Sequence, residues 1–85
     1  MAKGIHDSRY RWVVERLVQE RKKKGLSQAA VAALLGKPQQ YVSRYETGER
    51  RLDIFEFFDA ASALEVDGLK LVGEVPKPLM LGKKL

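Results

Sequence analysis

The sequence predicts a compact, all-α domain of four to five helices. Three observations carry that expectation. Apolar residues recur at helical spacings of three and four. Glycines close those stretches at Gly25, Gly36 and Gly48. No segment alternates cleanly enough between apolar and polar residues to argue a sheet.

The first helix is expected from about Arg9 to Lys24. Tyr10, Val13, Val14, Leu17, Val18 and Arg21 fall on one stripe, with Ser8 as the N-cap. Arg21–Lys24 occupy the last turn, where cations suit the helix dipole. Ser27 reads as the next N-cap, followed by a helix over Gln28–Leu35 with Val31, Leu34 and Leu35 as its apolar face. A helix of two turns is unstable alone in water and has to be held by packing. The third helix runs from about Pro38, suited to a first turn, to Thr47, with Val42 and Tyr45 pointing inward. Asp53 caps a fourth, about Ile54 to Leu64, whose stripe is Ile54, Phe57, Phe58, Ala61 and Leu64. Asp67-Gly68 is a turn signal, and Leu69–Gly73 forms a short fifth helix. Residues 1–8 are expected to fray. Residues 9–74 then form one domain and residues 75–85 a tail, in which Pro76, Pro78 and Gly82 oppose regular structure.

Eighty-five residues suit one domain whose core is marginal, because chains near this size bury only roughly 60–65% of their unfolded surface. The absence of cysteine excludes disulfides and thiolate metal sites, and fits a reducing cytoplasm. No apolar run approaches the roughly 18–20 residues that span a bilayer. The start of the chain lacks the apolar stretch of a secretory signal, so a soluble intracellular protein is expected. No nucleophile–base pair, glycine-rich phosphate loop or metal-ligand spacing supports an enzyme, and no cofactor is implied. His6 has no companions for metal binding or catalysis.

Charge is uneven. Residues 1–51 hold 12 Lys/Arg against 5 Asp/Glu, a net +7, whereas residues 52–85 hold 4 against 6, a net −2. A basic face attracts polyanions, in a way that salt weakens. Two short helices flank a tight turn at Gly36, and the second presents Gln39, Gln40 and Arg44 outward. Those are the requirements for an element that enters a DNA major groove. Gln pairs with the N6/N7 edge of adenine, and Arg with the O6/N7 edge of guanine.

The stretch Arg21…Gly25-Leu26-Ser27-Gln28…Val31-Ala32…Leu35-Gly36…Val42-Ser43-Arg44-Tyr45-Glu46-Thr47-Gly48…Arg50 resembles the phage repressor/Cro-type (XRE) helix-turn-helix domain. The resemblance spans about Val13 to Val66, and its pieces are specific only in combination. It implies a lambda-repressor-like fold with the helix-turn-helix at helices 2 and 3. It assigns base contacts to Gln39, Gln40 and Arg44, and backbone contacts to Gln28, Tyr41, Ser43, Arg50 and Arg51. It makes Arg21 and Glu46 a structural ion pair. Three positions depart from the family pattern: Pro38 in place of the usual Ser or Thr cap, bulky Tyr41, and acidic Glu49 in a loop that is often basic.

The expected function is a prokaryotic or phage transcriptional regulator, a repressor, that binds a two-fold operator as a homodimer on double-stranded DNA. Phe55, Leu69, Leu71, Val72, Leu79, Met80 and Leu81 exceed what one small core buries and mark the dimer surface. Two other readings fit the residues. One is an antitoxin that binds its operator while residues 69–85 hold a toxin. The other is an interaction module that has lost DNA binding, against which Gln28, Gln39, Arg44 and Arg50 argue.

Overall fold

The computed structural model describes residues 7–76. Among them lie five helices and no strand: α1 (Ser8–Lys23), α2 (Gln28–Leu35), α3 (Gln39–Thr47), α4 (Ile54–Ala63) and α5 (Gly68–Gly73). None of these helices is long and apolar enough to cross a membrane.

Polar side chains and backbone geometry set the helix ends. α1 starts one residue earlier than its pattern suggested, because Asp7, not Ser8, is the cap and its carboxylate accepts the Arg9 N–H at 2.8 Å. Ser27 caps α2 by accepting from the Ala30 N–H at 3.0 Å. Gly36 closes α2 at φ +68°, with open space where a Cβ would sit, so backbone conformation selects glycine there. Pro38 stands before α3 as its N-cap, extended at ψ 157° and without a side-chain capping bond. Asp53 and Glu56 form a reciprocal capping box at α4, their bonds at 2.7 and 3.0 Å. Asp67 caps α5.

The core is one cluster drawn from every helix. Leu17 of α1, Val31 and Ala32 of α2, Val42 and Tyr45 of α3, Ala60, Ala61 and Phe57 of α4 and Leu71 of α5 meet inside it, with Leu52 and Leu64 from the connections. Burying a side chain of Leu or Val size contributes roughly 1.5–3 kcal/mol each, and this burial holds the two-turn helices in place. Trp12 packs against the cluster with Arg16 over its ring. α5 approaches α4 so closely that a Cβ on Gly68 would lie 2.6 Å from Phe58 Cδ1.

Three expectations about the apolar faces need correction. Leu34 is 61% exposed and Ala32 is buried instead, because α2 turns its Val31–Ala32 edge toward α3 and α4. Ile54 is exposed, since the inward stripe of α4 begins one turn later at Phe57. Leu71, assigned to the dimer surface, is core, and so is Val75 beyond α5. Leu79, Met80 and Leu81, like His6, lie outside the described residues.

Two polar ties fix α3 in this frame. Glu46 near its end accepts from Arg21 of α1, Oε2 from Nε at 2.7 Å and Oε1 from Nη2 at 3.0 Å. Arg21 Nη1 also donates to the Leu26 carbonyl at 2.9 Å, and the carboxylate raises the guanidinium pKa against the opposing effect of burial. The second tie follows α3, where Arg50 makes a fork to Glu56 at 2.8 and 3.0 Å. Tyr10 Oη of α1 accepts the Leu52 N–H at 2.8 Å and holds the same connection. The Arg50 hydrogen bonds, aided by the Asp53 N–H, lower the Glu56 pKa from 4.5 to about 2.

Removing one partner of a desolvated pair leaves the other charge uncompensated. The Arg21 and Glu46 side chains are only 12% and 8% exposed. Glu46→Ala is therefore expected to destabilise the fold by about 3 kcal/mol, read as a fall in the urea midpoint; an unchanged midpoint would contradict the tie. Glu56 is bound more tightly as a carboxylate in the folded state than in the unfolded chain. Its contribution is present above pH 4.5 and is lost as pH falls toward about 2. Glu56→Gln should lower stability at neutral pH and flatten the acid limb across that window. Parallel stability–pH curves for the two proteins would exclude the linkage.

Candidate nucleic-acid interface

α2, the turn at Gly36 and α3 present one polar surface. Gln39 and Gln40 open α3, Arg44 follows one turn after Gln40, and all three are exposed. Val42 and Tyr45 take the opposite side into the core, which fixes the helix rotation and directs the three polar side chains outward. Ser43 is half-buried at the edge of this surface. The Gly36 N–H bonds the Ala33 carbonyl at 3.1 Å and the Lys37 N–H bonds the Ala32 carbonyl at 2.9 Å, so the turn is closed by backbone.

Gln28, the first residue of α2, is half-buried between the two ends of α3. Its Nε2 donates to Glu46 Oε1 at 2.9 Å, and its Oε1 accepts from Gln39 Nε2 at 3.4 Å. The direction follows from chemistry: a carboxylate only accepts, so Gln28 turns its NH₂ to Glu46 and its oxygen to Gln39. A chain of hydrogen bonds thus runs from Arg21 through Glu46 and Gln28 to the leading residue of α3. The family resemblance pairs Arg21 with Glu46 but does not link Gln28 to Gln39. Their spacing of 11 residues across a turn has no periodic signature.

Tyr41 was expected on the exposed side. It is half-buried instead, packed edge-on to Tyr45 with ring centroids 5.8 Å apart. Arg50 lies 4.7 Å and the Lys37 ammonium 5.4 Å from its ring centroid, so the ring carries two cations. Burial, seconded by the Glu56 charge, raises the Tyr41 pKa. Arg50, expected on the DNA backbone, makes its contacts within the protein. Its guanidinium is committed to Glu56, Tyr41 and the Arg51 carbonyl. Glu56 is not singled out by the spacing of apolar residues, because it lies outside the apolar stripe of α4. The capping box that fixes its rotamer is the signal that would have found it.

Arg51 is exposed, its guanidinium 6.0 Å from the Tyr10 ring. Lys37 and Arg51 stand before and after α3, and Arg44 stands on it, so positive charge accompanies the row of amides. Among the described residues no group of three His, Cys, Asp or Glu is placed to hold a metal ion.

A family profile described as helix-turn-helix matches residues 17–71. Among solved structures, an XRE-family like protein from Pseudomonas syringae pv. tomato str. DC3000 is similar to this chain at 38% identity, with a TM-score of 0.80. The match covers 86% of this chain and 89% of that one. A comparison with curated proteins finds no match. With the profile over well more than half of its length and a solved relative at that identity, the chain belongs to the XRE-type helix-turn-helix family of DNA-binding domains.

Proposed function

We propose that this protein is a sequence-specific transcriptional regulator that reads duplex DNA through α3 in the major groove. The observation that carries this reading is the row of Gln39, Gln40 and Arg44, three long hydrogen-bonding side chains exposed on one two-and-a-half-turn helix. Their chemistry suits adenine and guanine edges. Gln28 has both ends of its amide engaged within the protein. It acts first by orienting Gln39 and second through the α2 N-terminus, where backbone N–H groups favour a phosphate. Ser43, Arg51 and Lys37 supply backbone contacts. Arg50 and Tyr41 support the loop from which Arg51 extends.

The protein acts as a homodimer on a two-fold site, each copy placing one α3 in successive turns of the groove. Phe55 and Leu69, 77% and 74% exposed, and Val72, 40% exposed, supply the apolar surface for that pairing. Phe55 lies one helical turn before Phe58, against which the start of α5 packs. Occupying promoter DNA in this way represses transcription.

Selection from a pool of random duplexes at stated salt tests the reading. A recovered site with two symmetric halves about one helical turn apart is expected; enrichment of no sequence would defeat it. On the recovered site, Gln39→Ala should reduce affinity by about 1–3 kcal/mol and relax preference at one position. A loss equal on all sequences would remove Gln39 from base reading. Arg51→Ala should weaken every duplex similarly and lower the salt slope by about one. A slope that does not move would take Arg51 off the backbone.

A further inference from the structure

We propose that Glu49 is a specificity-determining residue, whose charge offsets that of Arg44 toward phosphate while leaving the ends of its guanidinium free for a guanine edge. The inference rests on the DNA-binding reading above and adds a role for the acidic residue that directly follows the Gly48 end of α3.

The backbone sets the pair. The Arg44 carbonyl accepts the N–H groups of Gly48, Glu49 and Arg50 at 3.1, 2.9 and 3.1 Å, and the Thr47 hydroxyl at 3.2 Å. Glu49 is thus tied to Arg44 through the main chain as α3 ends. Its carboxylate Oε1 lies 3.9 Å from Arg44 Nε, with the two side chains 68% and 62% exposed. That separation is beyond a hydrogen bond, and an exposed pair of this kind contributes little to folding. Its consequence is the field presented to DNA. The neighbouring cation, Arg50, is taken by Glu56, so the Glu49 charge acts on Arg44.

The geometry separates two modes of binding. Glu49 approaches Arg44 from the Nε side, at 3.9 Å, which leaves the terminal Nη groups to reach O6 and N7 of a guanine. On a duplex without that guanine, Arg44 serves only as one more cation for phosphate. There the carboxylate cancels it and faces the phosphates itself. Affinity for arbitrary DNA comes almost entirely from neutralised phosphates, so the effect falls there most heavily. Discrimination is gained by weakening the wrong complexes rather than by strengthening the right one.

The test compares wild type and Glu49→Gln on two duplexes, the site recovered by selection and a random sequence of equal length, across a salt series. Glu49→Gln should bind the random duplex about three- to tenfold more tightly, with a salt slope steeper by about one. The selected site should gain no affinity, so that the ratio between the two falls. In an Arg44→Gln background the same change should act on both duplexes alike. Equal tightening of both duplexes by Glu49→Gln alone, or no change in either, overturns the proposal. So does a difference between duplexes that persists without Arg44. Wild-type protein that binds neither duplex defeats the DNA reading as well, a result distinct from any of these.

Discussion

The Glu46 carboxylate accepts three hydrogen bonds, two from Arg21 and one from Gln28, at 2.7 to 3.0 Å. Much of the molecule depends on those bonds. Arg21 belongs to α1, Gln28 opens α2 and Glu46 lies near the end of α3, so one anion joins the first three helices. Two of those helices are only 8 and 9 residues long, too short to persist alone. The apolar cluster holds them, but an apolar contact is non-directional and tolerates rotation. Hydrogen bonds to a carboxylate do not. Because Gln28 continues the chain to Gln39, the network that sets the angle of α3 also touches its leading outward side chain.

The connection after α3 is organised differently. Arg50 and Arg51 are adjacent in sequence and alike in charge, yet their surroundings separate them. Arg50 turns inward to Glu56 and the Tyr41 ring, while Arg51 stays exposed beside Tyr10. Glu56 serves at once as the capping residue of α4 and as the anion for Arg50. A loop that carries two adjacent positive charges is thereby braced by a carboxylate.

The small core leaves apolar surface over. Leu71 and Val75 are absorbed into the interior, while Phe55, Leu69 and Val72 remain outside. Glu65, between α4 and α5, adopts a left-handed conformation at φ 59°, a position where glycine is easier. The chain accepts that backbone conformation at the corner between α4 and α5, and the core is completed by Leu71 beyond it.

Much of this was legible in the sequence because it is local. Caps, glycine stops and three-to-four spacing depend on neighbours a turn away, and they located α2 residue for residue and the other helices within one or two positions. The helix-turn-helix and the outward direction of Gln39, Gln40 and Arg44 followed from the same periodicity, since Val42 and Tyr45 define the inner side. What the sequence left undetermined was which polar groups meet. The choice of Glu56 for Arg50, of Gln28 for both Glu46 and Gln39, and of the Tyr41 ring as a neighbour of Arg50 depends on how helices distant in sequence approach. The rotation of α2 that exposes Leu34 and buries Ala32 is of the same kind. Periodicity states that a helix has an apolar side, but the packing of α2 against both α3 and α4 decides which residues on that side are covered.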